Sequence, residues 1–276
     1  MKRFVAFRRF GWVLKESVRT FISINGPFLA SGLAFDLLLN FIPLLFLIVS
    51  TLGYALSSPK AVGMVQTFLE QRLPPGLQSA IILNLAVVAS KRNQIGLIGF
   101  ILYIFFTITT FGSIRMVLNT LFNTHPRRGF LGGKAVDFFV MLLASGLFIV
   151  SATLSALVAV VRTMKGLPIS SRILEPGWTM LSDLLGLLFT ATLLYILYRF
   201  CPGRRISRKA LWTSASVGTL LLELSKTVFP WYISIARSYA VLYGTLSGFV
   251  FLLLWIYYAS LVFIFSAVIG STADRA

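Results

Sequence analysis

The chain has 276 residues, 57% of them hydrophobic and only 12% charged, with 25 Lys and Arg against 8 Asp and Glu. A soluble domain carries about twice that share of charge, so a water-soluble globule is excluded. One cysteine (Cys201) and one histidine (His125) exclude an intramolecular disulfide and any His/Cys metal cluster of the zinc-enzyme kind, which leaves only a carboxylate Mg²⁺ site open by composition.

Residues 1–27 interleave Lys2, Arg3, Arg8, Arg9, Lys15 and Arg19 with Phe4, Phe7, Phe10, Trp12, Val13, Phe21 and Ile22. That pattern predicts a basic amphipathic helix at the membrane surface. It does not fit a signal peptide, because the basic part and the apolar run behind it are too long and no small-residue cleavage pattern follows.

The next run, 28–54, is long enough to cross a bilayer, which takes about 20 apolar residues. Gly32, Asp36, Asn40 and Pro43 interrupt it at helical spacing, so they share one face. A carboxylate facing lipid costs several kcal/mol, so this face is expected to look into protein or water. Residues 57–94 read as an extracytoplasmic insert. Within it, Leu77–Ala89 is too short to span and is expected to be interfacial or re-entrant.

Five further spans are expected at about 95–122, 135–161, 178–200, 210–232 and 241–270. The fold class is therefore an all-α membrane protein, with six transmembrane helices in a single domain over 1–276. Lys and Arg by side number fifteen against eight when the N-terminus is cytoplasmic. This bias places both termini in the cytoplasm. It also accounts for most of the basic excess, so no nucleic-acid partner is expected.

Polar residues inside the spans are the candidates for function. At about 1.5 Å per residue, Asp36 lies roughly 12 Å from the cytoplasmic end of its helix, and Arg115 lies near the same side. Asp183, Glu223 and Lys226 fall in the outer half. The depths predict an inner pair, Asp36 with Arg115, and an outer layer of Asp183, Glu223 and Lys226. Asn40 and Asn119 complete the candidate pathway or polar-lock residues. Plainer readings exist: Arg115 snorkels to headgroups, Glu223 and Lys226 satisfy each other, and Asp183 sits at the interface. Pro43, Pro230, Gly244 and Gly248 are the kink or hinge candidates, although the Gly244–Gly248 spacing equally suits close helix packing.

Three stretches resemble the YihY/BrkB family of bacterial inner-membrane proteins: ASGLAFDLLLNFIPLL (30–45), LNTLFNTHPRRGF (118–130) and YGTLSGFVFLLLWIYYASLVFIFSA (243–267). The resemblance covers essentially the whole chain. It implies six transmembrane helices, with older labels of ribonuclease BN-like protein and ties to virulence or envelope lipid traffic. Two positions depart from the family pattern. Ser266, Ala267 and Val268 stand where Gly-Ala-Glu is common, and Asp36 stands where an aromatic usually follows Leu-Ala-Tyr.

No GxSxG, Walker A, HExxH or paired-carboxylate signature is present. Neither catalytic residues, nor a metal site, nor a cofactor is expected, and an enzyme, ribonuclease included, is the third choice. The expected function is transport or handling of a polar or amphiphilic, lipid-related solute within an inner-membrane helix bundle. A non-transporting scaffold or envelope-integrity protein is the alternative. The expected partners are membrane lipids, with anionic inner-leaflet lipid at the basic N-terminal helix, and the reading leaves room for a homo-oligomer.

Overall fold

Long apolar runs separated by short polar turns favour helices, which satisfy every backbone hydrogen bond within the segment. The computed structural model describes residues 2–55, 75–124, 132–133, 135–147, 150, 171–203, 206–235 and 247–275. Seven helices, and no strand, are found among the described residues. They are α1 (Lys2–Ser23), α2 (Gly26–Ala55), α3 (Pro75–Leu121), α4 (Ala135–Leu147), α5 (Ser171–Phe200), α6 (Arg208–Ile235) and α7 (Ser247–Arg275).

Among the described residues, four stretches are long and apolar enough to cross a membrane: Gly26–Thr51, Ser90–Leu121, Asp183–Phe200 and Phe249–Arg275. They match four of the six expected spans. The third begins as the shorter apolar helix α4, and most of 148–161 lies outside the described residues. The fifth range is helical within α6, which is not among the four, because Glu223, Lys226 and its Ser and Thr residues dilute its apolar content. Large apolar side chains project outward along the spans, among them Phe28, Phe35 and Ile42 of α2 and Leu97, Ile101 and Phe105 of α3. Such a surface suits hydrocarbon as its solvent.

The insert needs a correction. Residues 57–74 lie outside the described residues, but Leu77–Ala89 does not stand apart from the second span. It is continuous with the second span in one helix of 47 residues. No Gly or Pro occurs between Leu77 and Ile95, so nothing local stops the helix once started.

Asparagine closes two of the helices. Asn25 closes α1 with φ 54°, and Asn123 closes α3 with φ 48°. At α3 the Asn123 N–H donates to the Thr120 carbonyl at 3.4 Å, and the Thr124 N–H to that of Asn119 at 2.9 Å. This is a Schellman cap with Asn in the left-handed position, one of the few non-glycine residues to tolerate it.

The chain divides into two compact units: Met1–Phe35 with Phe111–Ala276, and Asp36–Thr110. In the first, α6 packs most extensively against α7 and then α5, and α1 lies against α7, where the Phe21 and Phe265 rings meet edge-on at 5.4 Å. Its core includes Leu33, Leu118, Val140, Tyr198, Ile264 and Val268. Tyr198 stacks on Phe263 at 5.0 Å, donates to the Phe263 carbonyl at 2.8 Å and shares a hydrogen bond with Ser266 Oγ at 2.7 Å. A buried tyrosine needs such partners, since an unmet hydroxyl costs about 1–3 kcal/mol.

The second unit is an antiparallel pairing of α2 and α3. Asn40 meets Thr107, Ser50 donates to the Arg92 carbonyl at 2.9 Å, and Tyr54 donates to Asn93 Oδ1 at 2.6 Å. The Arg92 guanidinium lies 5.2 Å from the Tyr54 ring centroid. Gly99 makes the closest backbone approach: an added Cβ would stand 2.7 Å from Phe46 Cβ and 3.3 Å from the Leu47 amide nitrogen.

Candidate functional site

Charged and polar side chains in apolar helices persist only where partners or water receive them. Among the described residues three groups meet that condition, two in the first unit and one in the second.

The first group ties together the end of α3, the start of α4 and the turn after α5. Arg115 Nη2 donates to Asp137 Oδ2 at 2.7 Å, with 19% of the Arg115 side chain exposed and none of Asp137. Gly133 abuts the guanidinium, and a Cβ there would lie 3.0 Å from Arg115 Cζ. One turn along α3, Asn119 Oδ1 accepts from the Gly203 N–H at 2.7 Å and from Thr124 Oγ1 at 2.8 Å. Cys201 is buried beside these groups. Burial first, and the Asp137 charge second, push its thiol up to about 12 against the lowering influence of Arg115.

The expected Asp36–Arg115 pair is therefore corrected, because the bond from Arg115 goes to Asp137. The reversal after Leu121 brings the last turns of α3 back to the first turns of α4 at one depth. Asp137 escaped sequence reading because it stands only two residues inside its apolar run, where an interfacial carboxylate looks ordinary. Its signal was a depth equal to that of Arg115.

The second group lies on α5 and α6. Lys226 Nζ donates to Glu223 Oε1 at 2.6 Å, at i,i+3. Thr190 Oγ1 donates to the Gly186 carbonyl at 3.0 Å and towards Glu223 Oε1 at 3.2 Å. Asp183, Gly186 and Thr190 share one face of α5, and a Cβ at Gly186 would come within 3.9 Å of Lys226 Nζ. Asp183 is exposed one turn along that face. The ion pair is not sealed: 48% of Lys226 and 26% of Glu223 remain exposed.

The third group belongs to the second unit. Thr107 Oγ1 donates to Asn40 Oδ1 at 3.0 Å, and Thr110 Oγ1 to the Asp36 carbonyl at 3.2 Å. Thr107, Thr110 and Pro43 are buried, while Asp36 and Asn40 are half-buried. Of the face read from spacing, Gly32–Asp36–Asn40–Pro43, the Asn40 side chain and the Asp36 carbonyl meet α3, Pro43 is buried, and Gly32 is exposed. The helix continues through Pro43. Pro230 lies within α6 and Gly248 within α7, whereas Gly244 lies outside the described residues.

Comparison with known proteins adds what geometry cannot. The chain is similar to a UPF0761 membrane protein of Chlorobium chlorochromatii, 27% identical over 267 residues that cover 96% of this chain and 59% of the relative. It is also similar to one of Chromobacterium violaceum, 26% identical over 248 residues covering 88% and 57%. One of Haemophilus influenzae is 22% identical over 246 residues, 89% of each chain. The chain thus spans a little under three-fifths of the length of the first two relatives. No solved structure matches. The model of the family described as Virulence factor BrkB covers residues 17–276, from the middle of α1 to the end of α7. A multi-span helical protein whose relatives carry the name membrane protein, and whose sequence fits that family from α1 onward, belongs to the Virulence factor BrkB family.

Proposed function

We propose that the chain passes or shields a polar or amphiphilic, lipid-related solute at the α5–α6 face, and that it does so as a non-enzymatic protein of the bacterial inner membrane. The observation that carries this reading is the half-exposed Lys226–Glu223 pair within α6. A purely structural pair in hydrocarbon gains by being enclosed, since an exposed charge there is expensive. An open pair with Asp183 one turn away offers both signs of charge to a solute. Both signs suit a zwitterionic headgroup.

In this reading the chain crosses six times. The four apolar helices are joined by α6 and by a span that begins with α4. Both termini are cytoplasmic, because the Lys and Arg bias favours that side.

The test uses proteoliposomes holding fluorescent phosphatidylethanolamine in both leaflets, with an impermeant quencher added outside. Loss of fluorescence beyond the outer-leaflet share is expected with the native chain, and Glu223→Gln or Lys226→Met should slow it at least tenfold. Quenching no greater than in protein-free vesicles would overturn transport of this lipid class in favour of the scaffold.

A further inference from the structure

The packing of α1 fixes which of its faces is left over. Ser17 is buried, and Phe21 meets Phe265 of α7. Adjoining that strip round the helix, Leu14, Val18 and Ile22 are exposed at i, i+4 and i+8. Lys15 and Arg19 stand one residue further round, also exposed, and exposed Trp12 follows them. The one acidic residue of α1, Glu16, is half-buried on the flank leading back to the packed strip.

Only the two residues Ile24 and Asn25 separate α1 from α2, whose membrane-crossing stretch begins at Gly26. The last turn of α1 therefore stands at the membrane border. There the three aliphatic side chains can reach the acyl boundary while the ammonium and guanidinium stay among phosphates, and Trp12 suits the same layer.

We propose that this arc of α1 docks on the anionic phospholipid of the adjoining leaflet, with Lys15 and Arg19 on headgroup phosphate. Charge selects this occupant. Two exposed cations against one half-buried carboxylate leave the arc positive, and an anionic leaflet is its complement. A second copy of the chain fits less well, because a two-fold contact through this face would set the Lys15–Arg19 rows against each other.

The inference is independent of any transport at α5–α6, and its test does not measure flux. The full-length protein in detergent is titrated with equimolar phosphatidylglycerol and phosphatidylethanolamine, and the bound lipids are read by native mass spectrometry. The native chain should prefer phosphatidylglycerol. Lys15→Gln with Arg19→Gln should cut that preference roughly tenfold, and Arg208→Gln with Lys209→Gln should leave it nearly intact. Inorganic phosphate should compete no better than chloride at equal ionic strength, as expected for a surface rather than an anion pocket. Unchanged preference in the α1 variant, an equal loss in the α6 variant, or selective displacement by phosphate would each overturn the proposal. Dimers that persist in the native protein and vanish in the α1 variant would also overturn it, in favour of self-association.

Discussion

Arg115 and Asp137 illustrate why a charge in an apolar helix has to be followed to its partner. With Asp137 fully enclosed, replacing Arg115 takes its ion-pair partner away in low dielectric, a change of about 3–5 kcal/mol. Asp137→Ala and Arg115→Gln should each lower the unfolding free energy of the solubilised protein by an amount of that order. Asp137→Ala should be the milder of the two, because partly exposed Arg115 can still reach water. The double variant should lose clearly less than the sum, as measured in a denaturant-based mutant cycle. Simple additivity would mean that the two side chains do not meet. Arg115 was legible in the sequence as a cation at a known depth. Its partner was not, because depth alone does not choose between Asp36 and Asp137 once the loop reversal is unknown.

At the scale of elements, periodicity showed more than pairing did. Of the Gly32–Asp36–Asn40–Pro43 face read from spacing, Asn40 bonds to Thr107 of α3 and Pro43 is buried, whereas Gly32 is exposed. Thr107 and Thr110 were hidden as partners within the run FTITTFG, since threonine in a membrane helix ordinarily bonds its own backbone, as Thr109 does to the Phe105 and Phe106 carbonyls. The continuity of α3 through 77–89 was missed for a different reason. An apolar stretch too short to span looks like an element of its own in sequence, although no residue in it breaks a helix. The α2–α3 register rests on small contacts, so it is sensitive to bulk. Gly99→Ala places a methyl against Phe46 and the Leu47 backbone and should cost about 1–3 kcal/mol. Thr107→Val, which loses one interhelical bond, should cost about 0.6 kcal/mol. Equal losses for the two in thermal or denaturant unfolding would show that packing at Gly99 is looser than described.

For the whole molecule, the charge bias makes a prediction about sidedness that Cys201 helps to test. Its thiol, pushed up to about 12, stays protonated below pH 9, where an exposed cysteine begins to ionise. Labelling at pH 7–8 can therefore be run with Cys201 in place as a silent background. A cysteine at Gln71 should react with an impermeant maleimide in intact cells, and cysteines at Thr124 and Arg205 only after lysis. Reaction at Thr124 from outside would invert the orientation. Signal from the native chain would show that the α5–α6 turn opens.

The polar content of α6 also bears on how the protein is made. Among the described residues four helices are long and apolar enough to cross a membrane, and α6 is not one of them. A single Lys near the centre of a helix raises the cost of insertion by about 2.5–3.5 kcal/mol, and the chain synthesises α6 before α7, its most extensive neighbour. The nascent segment therefore has reason to linger at the translocation channel until α5 can shield Lys226 and α7 has emerged to cover the Ser214 and Ser225 side. Released chains truncated before Ser247 should leave α6 open to protease or modifying enzymes, and chains that include α7 should show it protected. Biogenesis of this chain would then proceed in its last third by the joint entry of a helical hairpin.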